Sequence, residues 1–181
     1  MVLQVATDGE GGILANGNPL HIKGVVWHGP EDGPHPPYGL HAHPLDWYLQ
    51  FLVDHNFNAI RVLFNHADVL ANPVIDLTGL DHASPTFVHG MRYIDMLGAF
   101  ARAAGKKGLA VVLSCSRTGR VVKADTDGGG LWFDEDVKEV QVVRSWLALA
   151  ADLCPLWNVI GTDLQDAPVC ARPQTLLATE T

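Results

Sequence analysis

The chain has 181 residues, 48% of them apolar and 18% charged, and a net charge of −8. That length suffices for one domain with a sizeable core, and the composition excludes a disordered polymer. The acidic balance argues against a nucleic-acid surface, which needs clustered Lys and Arg, and no apolar run reaches the ~18 residues of a membrane span.

Residues 1–12 lack the basic start and apolar run of a signal peptide, so the chain is either cytosolic or has lost a leader. Residues 1–20 predict a small β-hairpin. Leu3 to Ala6 and Ile13 to Ala15 are the strands, with turn chemistry at Asp8-Gly9 and Asn16-Gly17. His21 to Trp27 is an apolar strand. A long loop rich in Pro, Gly and His follows to about residue 43, and loops of that length usually carry function or mobility. Residues 44–55 predict a helix with Trp47, Tyr48, Phe51, Leu52 and His55 on one face.

Ala59 to Phe64 is the second strand of the series, and residues 65–86 read as loop. Residues 87–106 predict the second helix, with Met91, Ile94, Gly98, Ala101 and Ala104 inward. Leu109 to Leu113 is continuously apolar, as a buried parallel strand is. A loop with Gly128-Gly129-Gly130 leads to a third helix capped by Asp134 or Asp136, its apolar face running Val137, Val140, Trp146, Ala150, Leu153. Asn158 to Leu164 closes the series as a fourth strand, and residues 169–181 are a tail. Three β-loop-α units followed by a strand imply a parallel sheet with right-handed crossovers. There is no internal repeat, and the chain reads as one domain over 1–181.

Several residue groups invite a chemical reading. Cys115, Cys154 and Cys170 are an odd count without CxxC spacing, which argues against structural zinc. A Cys154–Cys170 disulfide is an option that sequence cannot test. His28, His35, His41 and His43 crowd the first loop. His41-Ala42-His43 has the spacing of two ligands on one strand face, but a solvated or sugar-contacting loop is favoured over a metal site. The Gly128 triplet does not join a strand directly to a helix, so it is a flexible loop and not a phosphate cradle.

The stretch Gly12-Ile13-Leu14-Ala15-Asn16-Gly17-Asn18-Pro19-Leu20-His21-Ile22-Lys23-Gly24-Val25-Val26-Trp27-His28-Gly29 resembles the start of a glycoside hydrolase family 5, cellulase-like domain. Asn56 to Val62 is similar to that family's second-strand signature, and the stretch from Trp157 to Pro168 to its fourth. The resemblance covers about residues 10–168 and implies the N-terminal half of a (β/α)8 TIM barrel. That half would have four parallel strands, three helices and a hairpin closing the barrel floor.

The family hydrolyses O-glycosyl bonds in β-glucan-type polysaccharides with two glutamates. One protonates the departing oxygen and the other attacks the anomeric carbon from the opposite face. Its fourth-strand motif ends in Asn-Glu-Pro, matched here by Asp166, Ala167 and Pro168. Ala167 at the acid/base position cannot donate a proton, and no strand-seven segment is present to supply the nucleophile. The family's Leu-Asp-x-His-Arg pattern after strand three is Leu113-Ser114-Cys115-Ser116-Arg117. Trp27, Arg61, Arg117 and Trp132 remain.

The reading is therefore a hydrolase-like chain that is not catalytic, with no intact catalytic residue and Asp166 as a weak substitute candidate. Trp27, His28, Arg61, Trp132 and Asp166 are the candidate saccharide contacts. Arg61 is either a site relic paired with Asp163 or Asp166, or an exposed residue at a strand end. Trp132 is a stacking platform or a core residue. No cofactor or metal is implied, because the family works with carboxylates alone. The resemblance implies a secreted protein. The expected partners are a polysaccharide or oligosaccharide and a second half-barrel, in a homodimer or from another chain. The alternatives are a carbohydrate-binding or self-associating structural module, or a truncated gene product.

Overall fold

The computed structural model describes residues 3–78, 88–117, 132–134 and 136–166. The tail, the Gly128 triplet, Ala167 and Cys170 lie outside these residues, and with Cys170 the disulfide option.

The chain starts with β1 (Val5–Thr7), β2 (Ile13–Ala15) and β3 (Asn18–Pro19), paired antiparallel in that order. The Asn16-Gly17 turn takes positive φ at both residues, 50° and 81°, as a tight two-residue hairpin requires. The unit is a three-stranded meander, not the expected hairpin. Its last strand is only two residues long, too short to show a periodic pattern. Leu3, Ala15 and Leu20 from this layer face Ala59, Ala110 and Ile160 across a small cavity, so the meander floors the N-terminal ends of the main sheet.

That sheet has four parallel strands in sequential order: β4 (Gly24–Trp27), β5 (Ala59–Asn65), β6 (Ala110–Arg117) and β7 (Val159–Asp163). Four α-helices lie among the described residues, α1 (Leu45–Asp54), α2 (His66–Ala71), α3 (Tyr93–Lys106) and α4 (Glu139–Leu153), with a 3-10 turn at Pro30–Asp32. The parallel α/β half-barrel expected from the sequence is present, with one helix more than expected.

Alternation along the strands divides the sheet into two faces. Ile60, Val62 and Phe64 of β5 and Val111, Leu113 and Cys115 of β6 join the apolar core against the helices. Arg61, Leu63, Asn65, Val112 and Ser114 fall on the other face. The core includes Leu45, Leu49 and Leu52 of α1, Met96, Leu97 and Phe100 of α3, and Leu149 and Leu153 of α4. Asn158, fully buried, donates from Nδ2 to the carbonyls of Ala101 and Leu109 at 2.9 and 3.0 Å. It thereby fixes the α3–β6 connection beside β7.

Three local expectations are corrected. First, α1 buries Leu45, Leu49 and Leu52, so of the expected face Leu52 is buried and Tyr48 packs against the core, while Trp47 and Phe51 are exposed. Second, α4 starts at Glu139 after an Asp134 turn whose Oδ1 accepts from the backbone N–H groups of Asp136 and Val137. Its buried face is therefore Val142, Ser145, Leu149 and Leu153, with Val140 exposed. Third, residues 66–71 form α2 inside the segment read as loop.

Candidate functional site

Parallel α/β sheets place their chemistry beyond the C-terminal strand ends, and three polar groups gather there.

The first is built on Arg61. It sits on the inner face of β5, in register with Val112 of β6, while Ser114 is in register with Asp163 of β7. Arg61 Nη2 donates to Ser114 Oγ at 2.8 Å, to Asp166 Oδ1 at 2.7 Å and to Asp163 Oδ2. Ser114 Oγ in turn donates to Asp163 Oδ2 at 2.8 Å. The backbone helps to position Asp166, whose N–H donates to the Cys115 carbonyl at 2.7 Å. The Asp166 hydrogen bond, with a smaller contribution from Asp163, raises the Arg61 pKa above its ordinary value against the opposing effect of burial. The cluster is about one-third exposed. Among the described residues it has the charge of one guanidinium against two carboxylates.

The second group joins the first long loop to β5. Glu31 is buried; its Oε1 lies 2.6 Å from His28 Nδ1, and its Oε2 accepts from the Gly29 N–H at 2.7 Å. Gly29 has φ +133°, and a Cβ there would lie 2.5 Å from the Pro36 carbonyl oxygen, so only glycine fits. Asn65 Nδ2 donates to the Glu31 carbonyl at 3.2 Å and to Asp68 Oδ2 at 2.6 Å, while its Oδ1 accepts from the Asp68 N–H at 2.7 Å. Tyr93 O–H donates to the Pro30 carbonyl at 2.5 Å. Burial pushes the Tyr93 hydroxyl well above its ordinary pKa, so it stays a donor. The sequence reading did not single out Glu31, Asn65, Asp68 or Tyr93. The available signal was Asn65-x-x-Asp68 directly after an apolar strand, the pattern of a helix N-cap.

The third is His66, buried on α2. Its Nδ1 lies 2.8 Å from Ser145 Oγ of α4, and its Nε2 has no hydrogen-bond partner. Its ring packs edge-on against Phe64 and Trp146. Burial lowers its pKa to about 4, so it is a neutral core histidine.

The sequence-predicted site residues separate accordingly. Arg61 and Asp166 come together, and Arg61 holds both aspartates weighed as partners. Trp27 belongs to the helix side: its ring packs edge-on against Tyr48 and Phe100, and its Nε1 donates to the Tyr38 carbonyl at 2.8 Å. His28 is mostly exposed beside Glu31. Trp132 is 42% exposed and touches Phe133 edge-on, leaving ring surface open. His43 stacks on Trp47. Among the described residues no group of three or more metal-ligating side chains occurs.

No protein-family profile matches the chain. The chain is similar to an endoglucanase of Paenibacillus polymyxa, 25% identical over 165 residues, which are 90% of this chain and 39% of that protein. Its fold superposes on a hyperthermophilic endocellulase of the archaeon Pyrococcus horikoshii with TM-score 0.79 at 27% identity, covering 94% of this chain and 45% of the other. A Pyrococcus horikoshii endocellulase variant in complex with cellotetraose gives TM-score 0.79 at 26% identity, over 98% and 47% of the two chains. The likeness is to cellulase TIM barrels, and this chain spans less than half the length of these relatives. No helix among the described residues is long and apolar enough to cross a membrane.

Proposed function

We propose that the chain is the strand-one-to-four portion of a family 5-type glycoside hydrolase barrel, shaped for β-glucan-type oligosaccharides, and that by itself it does not cleave them. The observation that carries this is the engagement of Asp166 by Arg61. Glycoside hydrolysis needs a carboxylic acid able to give up a proton and a second carboxylate on the opposite face of the sugar. The residue after Asp166 is Ala167, and Asp166 itself accepts a hydrogen bond from a guanidinium. A carboxylate held in this way acts as an acceptor. Asp163 shares the same cation, so neither is set up as the acid.

The saccharide contacts in this reading are hydrogen-bonding groups at Arg61 and Asp166, which meet, with the exposed His28 and the exposed indole of Trp132 as further contacts. The endocellulase bound to cellotetraose supports that ligand class. Incubation with an aryl β-cellobioside is expected to give no release above buffer. Turnover that disappears in Asp166→Asn would overturn the inactive reading. Titration with cellotetraose is expected to show weak binding that drops about fivefold in Trp132→Ala, from a ring contact worth ~1 kcal/mol. Absence of any binding would remove the saccharide reading. The second reading, a structural module, is favoured by the exposed apolar side chains on the described helices, among them Trp47 and Phe51 of α1 and Val143 and Leu147 of α4.

A further inference from the structure

Among the candidate saccharide contacts, His28 is the one held by a buried partner. Trp27, the last residue of β4, packs against the core on the helix side. By strand alternation the next residue, His28, leaves the sheet toward the face that carries Arg61. Its carbonyl accepts from the Tyr38 N–H at 2.8 Å. The His28 side chain is 60% exposed, whereas that of Glu31 beside it is 3% exposed. A buried carboxylate is costly without partners, and both Glu31 oxygens have one: Oε2 accepts from the Gly29 N–H at 2.7 Å, and Oε1 lies 2.6 Å from His28 Nδ1. The turn that carries Glu31 is anchored in its own right. Asn65 Nδ2 donates to the Pro30 and Glu31 carbonyls at 3.4 and 3.2 Å, and the Tyr93 O–H donates to the Pro30 carbonyl at 2.5 Å. An exposed imidazole is thus set by a buried carboxylate on a fixed turn.

A carboxylate offers acceptors and no donor. Facing Oε1, Nδ1 of a neutral ring carries the proton, and Nε2 is left with a lone pair directed outward. We infer that Glu31 is a positioning residue that locks His28 in the Nδ1–H tautomer, and that Nε2 is a fixed hydrogen-bond acceptor for a ligand hydroxyl. The tautomer stands on this geometry alone; the saccharide as source of the hydroxyl rests on the proposed function. Arg61 can only donate, so it takes ligand oxygens by their lone pairs, while His28 requires an O–H. An ether oxygen at the same place on a sugar finds no donor at Nε2. Because the ring is oriented before a ligand arrives, less freedom is lost on binding.

The test is nitrogen-15 NMR of the histidine-labelled chain at about pH 8.5, where an ordinary imidazole is neutral. The chain has nine histidines, so the His28 signals are assigned by their loss in His28→Gln. The wild type is expected to show the proton on Nδ1 and a bare Nε2. In Glu31→Gln the amide has one oxygen for the Gly29 N–H and turns its NH2 toward Nδ1, so the proton is expected to move to Nε2. Cellotetraose affinity should fall about fivefold in Glu31→Gln, and adding that substitution to His28→Ala should cause no further loss. A proton on Nε2 of the wild type, as the other tautomer or as imidazolium, overturns the inference. So does an equal loss from Glu31→Gln with and without His28, or unchanged affinity in His28→Ala. If Glu31→Gln fails to fold by circular dichroism, the wild-type spectrum and His28→Ala, altered at an exposed side chain, still decide. The Nδ1–H tautomer without cellotetraose binding would sink the proposed function and leave Glu31 as the residue that sets the ring; binding with a protonated Nε2 would do the reverse.

Discussion

Arg61 shows how one side chain can gather several polar groups at a strand end. It donates to Ser114, Asp163 and Asp166 from a single nitrogen, so its replacement leaves two neighbouring carboxylates without a cation. Arg61→Met is expected to lower stability by about 1 kcal/mol, a modest figure because solvent screens a partly exposed cluster, and to lower Tm by roughly 2–4 °C. An unchanged melting curve would show the pairs to be energetically idle. His66 yields a pH prediction. Its pKa is about 4 in the folded state and about 6.5 in the unfolded chain. Between those values the unfolded chain binds the proton and the folded one does not. Stability is therefore unaffected above ~6.5 and falls as pH drops toward 4, by up to roughly 3 kcal/mol. Urea midpoints measured across that range should slope in the wild type and flatten in His66→Gln; equal slopes would assign the effect elsewhere. Arg61 and its acidic partners were legible in the sequence, because a charged residue within an apolar strand near a site rim demands pairing. The burial of Glu31 and His66 was not, since it depends on which distant segments pack over them.

Among the elements, the strands were the most legible, because continuous apolar runs of five to eight residues bounded by turn residues have few other outcomes. The helix faces were less so. The face Trp47, Tyr48, Phe51, Leu52 and His55 was expected on one side of α1, but the buried stripe is Leu45, Leu49 and Leu52, and the Trp47–Phe51 ring stack is exposed. α2 was missed because six residues are too few to display a period. Its start is fixed by Asn65, whose side chain also bridges to the first loop. Asn65→Ala removes the cap and leaves buried carbonyl and amide groups unpaired, with an expected cost of about 2 kcal/mol. Chemical denaturation would reveal it as a lower midpoint; a loss below ~0.5 kcal/mol would mean that water replaces the bridge.

At the scale of the whole molecule, the sequence made the half-barrel legible and left its completion open. Order and direction of the strands follow from three β-loop-α units, since right-handed crossovers allow little else. How a four-stranded sheet shields its inner face depends on surfaces, and surfaces become visible only once the helix faces are placed. The meander of β1–β3 floors one end of the sheet. The polar rim of Arg61, Asp163 and Asp166 lies toward the other. Between them the inner face carries Leu63, Asn65 and Ser114, all buried, and the partly exposed Arg61.

The sequential order of the main sheet has a consequence on the timescale of isotope exchange. In a parallel strand at an edge, alternate backbone N–H groups point toward the neighbour and toward solvent. The central strands β5 and β6 should exchange their amides slowly along their whole length, whereas β4 and β7 should show a comb of slow and fast positions in deuterium.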